Sequence, residues 1–172
     1  METSNYAYID GANLHRGVSD SGWTLDYKRF RVWLRDKYSV SRAYLFIGLI
    51  LKYKKIYTEL QEAGYTLVFK EVVYDGEGKP KGNCDADLVL KTVRDVYENN
   101  FNQAVVVSSD GDYAGLISFL TEKKKIRAVL SPSAVKKCSV LLKRTGVPII
   151  YLNDKKSILK VKKEKAPIKD GP

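Results

Sequence analysis

The sequence predicts an α/β domain in three layers, with a parallel sheet carrying helices on both faces. Three observations predict it. Short apolar runs alternate along the chain with segments of helical period, the order expected of a covered parallel sheet rather than of a series of hairpins. The run Val105-Val106-Val107 is apolar without alternation, as in a strand buried on both faces. Two runs also end on a carboxylate followed by glycine, Asp10-Gly11 and Asp110-Gly111, at the strand ends where open α/β sheets bind ligands.

In order, residues 6–10 read as the first strand and Gly11-Ala12-Asn13 as a turn. Residues 14–22 lack sustained periodicity and are rich in turn formers, so a loop is expected over the same sheet edge, where Arg16 can meet phosphate. His15, the single histidine, reads as a surface or packing residue and leaves no His-based metal cluster. Residues 25–34 form an amphipathic helix with Tyr27, Phe30, Trp33 and Leu34 inward and Lys28, Arg29, Arg31 and Arg35 outward. A strand over 42–47 and a helix over 53–63 follow, the helix burying Ile56, Tyr57 and Leu60 and closing at Gly64.

The third strand covers 65–74, and the polar stretch 75–83 is a loop. Gly76 and Gly78 within it do not make a dinucleotide loop. Pro80 interrupts it, Gly82 falls one place beyond the third glycine, and it follows the third strand rather than the first. Residues 85–97 form a helix with Leu88, Leu90, Val93, Val96 and Tyr97 mostly buried. The fourth strand, 103–107, leads into a helix from Tyr113 to about Lys124 with Tyr113, Leu116, Ile117 and Leu120 inward. Residues 126–130 are the fifth strand. A helix after Ser133 points Ala134, Cys138, Leu141 and Leu142 inward and ends near Gly146, and 147–152 make a short sixth strand. No internal repeat occurs.

The 172 residues are enough for one self-standing core. Cys84 and Cys138, the only cysteines, have no CxxC or Cys/His spacing, so neither a disulfide framework nor a structural zinc site is indicated and a reducing compartment fits. No apolar run approaches the roughly 18 residues of a membrane span, and the N-terminus lacks signal-peptide character. A soluble, cytoplasmic protein is expected. The net charge of +10, from 30 basic and 20 acidic residues, favours polyanionic partners such as nucleic acid. Part of it lies in Lys155, Lys156, Lys160, Lys162, Lys163, Lys165 and Lys169, so residues 154–172 are expected to form a basic, largely disordered tail, either solubilising or RNA-binding.

Acids stand at three places: Asp10, then Asp85 with Asp87, then Asp110 with Asp112. Any one of them can be a helix cap or a partner of the helix dipole, each worth about 1 kcal/mol. In a parallel sheet all three loops belong to one edge, and they converge best if the first and fourth strands are neighbours. An all-carboxylate cluster without histidine or cysteine suits a hard cation, Mg2+ or Mn2+, rather than zinc.

Tyr8-Ile9-Asp10-Gly11-Ala12-Asn13 resembles the opening motif of the NYN domains, the bacterial branch of the PIN-like nucleases. Lys81-Gly82-Asn83-Cys84-Asp85-Ala86-Asp87-Leu88 is similar to their central motif, and Ser108-Ser109-Asp110-Gly111-Asp112-Tyr113 to their third. The resemblance spans roughly Tyr6 to Leu152. It implies a nuclease domain over residues 1–153, a PIN-like strand order of about 3-2-1-4-5, and a metal-dependent ribonuclease, expected to be an endonuclease, that hydrolyses RNA phosphodiester bonds with a metal-activated water. Asp10, Asp85, Asp110 and Asp112 are then the metal-binding and catalytic positions. Asn13 supports the first loop and bonds a metal-held water or phosphate, Ser108 orients an aspartate carboxylate, and Arg16 and Lys81 grip the RNA backbone. Asp87 and Ser109 are expected one layer behind. Ser109 and Tyr113 depart from the glycine and phenylalanine of many relatives.

Two rival readings share the fold: a non-cutting RNA- or protein-binding regulatory domain, and a DNA-directed nuclease. A haloacid-dehalogenase-like phosphatase needs an aspartate two residues after Asp10, where Ala12 stands. Expected partners are nucleic acid, RNA ahead of DNA, with no membrane and with a homodimer left open.

Overall fold

The computed structural model describes residues 4–81 and 84–163. Its main sheet has six strands: β1 (Asn5–Asp10), β2 (Val40–Leu49), β3 (Tyr65–Glu71), β4 (Ala104–Val107), β5 (Ile126–Ser131) and β6 (Ile149–Tyr151). All pair in parallel, in the order β3-β2-β1-β4-β5-β6. This is the expected order with the sixth strand added.

The pleat divides β1 between two cores. Ala7 and Ile9 face a layer built from α1 (Gly11–Asp20), α2 (Tyr27–Tyr38) and α3 (Lys54–Glu62), and they pack in one cluster with Leu14, Phe30, Leu34 and Leu60. Tyr8 faces the layer of α4 (Asp85–Tyr97), α5 (Ala114–Glu122) and α6 (Val140–Lys143), with Leu88, Leu116, Ile117 and Leu142. The order in which successive strands join the sheet reverses between β1 and β4, where Ile9 pairs with Val107. The residues just beyond that pair, Asp10 and the 108–112 turn, therefore sit side by side at the carboxyl edge.

Several elements differ from the sequence reading. Residues 14–22, expected as a loop, lie largely in helix α1. The Asp10 side chain caps it by accepting from Asn13 N at 3.1 Å, and Leu14 and Val18, one helical turn apart, supply the apolar stripe. Gly17 lets α1 press on the chain after β5, since a Cβ there would stand 2.8 Å from the Pro132 carbonyl carbon. The end of the third strand is instead the two-residue strand Val73–Tyr74, paired antiparallel with Pro80–Lys81. Asp75 closes this hairpin by accepting from Glu77 N and Lys79 N. Gly82 and Asn83 of the central motif lie outside the described residues.

Four apolar residues expected inside are exposed: Ile56, Leu90, Tyr97 and Leu141. On α4 the buried stripe is Leu88, Thr92 and Asp95, spaced by three and four, which turns Leu90 and Tyr97 outward. The helix expected after Ser133 is a 3-10 turn, Val135–Lys137, followed by the four-residue α6. Cys138 and Leu142 are buried there as expected. Arg31, expected to face water, spends its guanidinium on the carbonyls of Val40, Ser41 and Gly64 and so ties α2 to the start of β2 and the turn before β3.

The disordered tail expected from Asp154 does not begin there. A 3-10 turn at Leu152–Lys155 leads into α7 (Lys156–Leu159), and Leu159 is fully buried in the α1–α2–α3 core. Asp26 N donates to Leu159 O at 2.9 Å and Val161 N to Thr24 O at 3.0 Å, around an antiparallel bridge between Leu25 and Lys160. The lysine-rich composition marks only the outward face of this segment. Residues 164–172 lie outside the described residues. Among the described residues no helix is long and apolar enough to cross a membrane.

Candidate active site

Each acid reaches the site by a different local device. Asp10 is the last residue of β1 and the N-cap of α1, so strand and helix both fix it. The next residue must be small, because a Cβ on Gly11 would collide with Ile47 Cγ2 and stand 2.7 Å from Phe46 O. Asp110 ends the extended stretch after β4 and caps the 3-10 turn Gly111–Tyr113, accepting from Asp112 N at 2.9 Å. Asp85 opens α4. Capping is thus real for Asp10 and Asp110, and it coexists with convergence.

Ligand oxygens of Asp85, Asp110 and Asp112 all lie within 4.8 Å of one another. Asp10 joins them through Tyr113, whose hydroxyl donates to Asp85 Oδ1 at 2.7 Å and lies 3.2 Å from Asp10 Oδ2. One phenol on the 3-10 turn therefore spans acids from β1 and α4. The sequence offered one signal for this role. A tyrosine at a fully buried position needs a partner for its hydroxyl, and the periodicity of α5 accounts only for its ring.

The electrostatics are those of a gathered charge. Burial pushes the Asp10 carboxyl above its ordinary range; the Asn13 amide pulls it down, and the neighbouring charge of Asp85 pushes it up again. Burial and the charges of Asp10 and Asp85 drive the Tyr113 phenol far above its usual range, so it stays a donor. Among the described residues no lysine or arginine pairs with Asp10, Asp110 or Asp112. The acids open on a cleft of about 280 Å³ lined by Asp10, Ala12, Asn13, Arg16, Phe46, Ile47, Gly48, Cys84, Asp85 and Asp110. Burial and nearby acids raise the Cys84 thiol to about 11, which makes it a protonated wall residue rather than a nucleophile. Apolar grooves of about 580 Å³ and 390 Å³ flank α2. They mix acids with basic residues on apolar walls, so chemistry rather than volume selects the cleft.

The remaining expected residues divide. Arg16 lines the cleft and is exposed. Asn13 is there too, but its Oδ1 is occupied by Ser109 N at 2.9 Å and Ser109 Oγ at 3.0 Å, so its carbonyl end bolts α1 to the turn after β4. Ser109 also bonds Ser133, which puts it behind the acids. Ser108 does not orient a carboxylate; its Oγ accepts from Asp110 N at 3.0 Å and fixes the backbone. Asp87 pairs with Lys70 at 3.5 Å. Lys81 is drawn into the hairpin, 4.0 Å from Asp75, and does not line the cleft.

The donor set is oxygen only, dense in charge and open on one side, which fits a hard divalent cation and not zinc. The model of the NYN domain family matches residues 6–160. A crystal structure of a protein of unknown function from Vibrio parahaemolyticus has the same fold, with a TM-score of 0.71 at 17% identity over 88% of this chain and 94% of that one. A mutant of the T5 5′-exonuclease scores 0.41 at 15% identity over 79% of this chain and 52% of that one. No curated protein matches the chain in sequence.

Proposed function

The chain belongs to the NYN domain family of PIN-like nucleases, and from that premise we propose that it is a metal-dependent ribonuclease cutting RNA internally. The observation that carries this reading is the meeting of four carboxylates from β1, α4 and the turn after β4 at one cleft, with no lysine or arginine among the described residues paired with Asp10, Asp110 or Asp112. The RNA preference rests on the family. A bound Mg2+ or Mn2+ would lower the pKa of a water and neutralise charge developing on the scissile phosphate.

The chain's own residues supply the rest. Asp10, Asp85, Asp110 and Asp112 hold the cation, with Asp87 and Ser109 behind them. Tyr113 is a positioning residue that keeps the Asp10 and Asp85 carboxylates at one spacing. Ser108 and Asn13 fix the turn that carries Asp110, and the Asn13 amide nitrogen is the end free to meet a phosphate. Arg16 offers a charge to the RNA backbone at the cleft mouth. No side-chain nucleophile is required.

The test is cleavage of labelled single-stranded RNA, structured RNA, circular RNA and DNA with Mg2+, Mn2+ or EDTA. The expected result is metal-dependent cutting of linear and circular RNA, lost by a factor of at least about 100 in Asp110→Asn, with folding and RNA binding retained. Equal cutting of DNA would make the enzyme a DNA-directed or general nuclease. RNA binding without cutting by wild-type protein at any metal concentration would make it a regulatory domain.

A further inference from the structure

Beside the cleft, where β2 and β3 end, lies a patch that the acid site does not use. Tyr53 and Phe69 are each 39% exposed and Tyr74 is 62% exposed. Their surroundings join them to the cleft wall. Gly48 lines the cleft, and Tyr57 grips the same strand end by donating to Gly48 O and accepting from Ile50 N, both at 3.0 Å. The ring of Tyr57 stands edge-on to Phe69 at 4.9 Å, and Phe69 pairs with Ile47 of the cleft wall. Val72 packs on Gly48, where a Cβ would stand 2.6 Å from Val72 Cγ2, and Tyr74 follows two residues later. From Gly48 to Tyr53 the chain can span at most ~18 Å.

Cations fringe these rings. Lys52 sits over the Tyr53 ring, its ammonium 5.1 Å from the centroid. Lys54 and Lys55 are exposed in the first turn of α3, which contains no acid and has no side-chain cap. Exposed rings set among lysines offer stacking faces to bases and charge to phosphates. A duplex keeps its bases inside and cannot use the rings, while an apolar protein surface has no use for the lysines.

We propose that this patch is a stacking platform for the bases of single-stranded RNA, which leads the strand into the acid cleft. The proposal rests on reading the cleft as a nuclease site, and it can fail separately. Binding of a labelled single-stranded RNA and of its duplex is measured in EDTA, where nothing is cut. Tyr53→Ala and Tyr74→Ala should each weaken single-strand binding about tenfold and leave duplex binding unchanged, while Tyr53→Phe and Tyr74→Phe bind like wild type. Replacing Lys52, Lys54 and Lys55 together by glutamine should reduce the salt slope of single-strand binding by about 2.

Unchanged single-strand affinity in both alanine variants would overturn the platform, even if Asp110→Asn abolishes cleavage. Equal weakening of duplex binding would overturn it as well. A shift in the sedimentation of the alanine variants with RNA binding intact would make the patch an interface between protein molecules instead. If wild-type protein never cuts but shows the expected binding pattern, the platform stands and the nuclease reading falls.

Discussion

Helix α4 carries an aspartate at each end, and the molecule treats the two oppositely. Asp95, fully buried near the amino edge of the sheet, receives Lys91 Nζ at 2.6 Å, Tyr8 Oη at 2.7 Å and Asn100 Nδ2 at 2.8 Å. At the other end Asp85 meets three more carboxylates, and the donors to Asp10 and Asp110 are backbone amides and one phenol. A carboxylate buried for the fold brings a cation from its own chain. Among the described residues Asp10, Asp110 and Asp112 have no such cation, which leaves their neutralisation to something from outside. Burial and the bond to Asp95 drive the Tyr8 phenol far above its usual range, as for Tyr113, yet only the Tyr8 pair is closed off from a cleft.

The largest expected effect tests the closed end. Asp95→Ala strands the Tyr8 hydroxyl and the Lys91 charge and should cost about 3–5 kcal/mol in urea unfolding, whereas Asp110→Asn, partly exposed, should cost under about 1 kcal/mol. Equal costs would erase the contrast. Next, Mg2+ or Mn2+ at about 100 times its Kd should stabilise wild-type protein by about 2.7 kcal/mol, and Asp10→Asn and Asp110→Asn should remove that gain. Tyr113→Phe should keep the gain but need about 10–100-fold more metal in calorimetric titration, as when a group that orients ligands is lost. A wild-type melting temperature indifferent to both metals would leave the acids as caps alone.

The smallest effect is a pH dependence of the metal-free protein. The Asp10 carboxyl is raised above its ordinary 3.8 in the fold. Its contribution to stability is therefore fully present below that value and is lost as pH rises through the folded-state value. Asp10→Asn keeps an acceptor for Asn13 N and removes the charge. It should melt with wild type in acid and above it at neutral pH. A variant that melts lower at neutral pH would mean that the capping charge outweighs the repulsion.

What the sequence could and could not reveal follows the same division between local and long-range causes. The sheet was legible because β1 and β4 are buried on both faces and write that into unbroken apolar runs. The acids were legible because three motifs stand in order. Helix α1 was not, since its apolar stripe is short and its fit depends on Gly11 against β2 and Gly17 against Pro132. Lys81 and Ser108 were misplaced for a related reason. Residue type suggests a function, but Lys81 sits with its charge toward Asp75, and the Ser108 hydroxyl is taken by the Asp110 amide. Tyr113 lay within a motif, where the sequence shows only a departure from phenylalanine and not the two acids its hydroxyl reaches.

The pairing of residues 24–26 with residues 159–161 has a consequence for how the chain folds. It closes a loop containing both halves of the sheet, and the entropy of such closure grows only as the logarithm of its length. The search for so distant a partner nevertheless lengthens folding. During synthesis the first-made core, around Trp23, Leu25 and Phe30, must wait uncovered until Leu159 has been added. That interval is the stage at which the nascent chain exposes most apolar surface, and a ribosome-bound chain stopped at Asp154 should show it as protease sensitivity in α2.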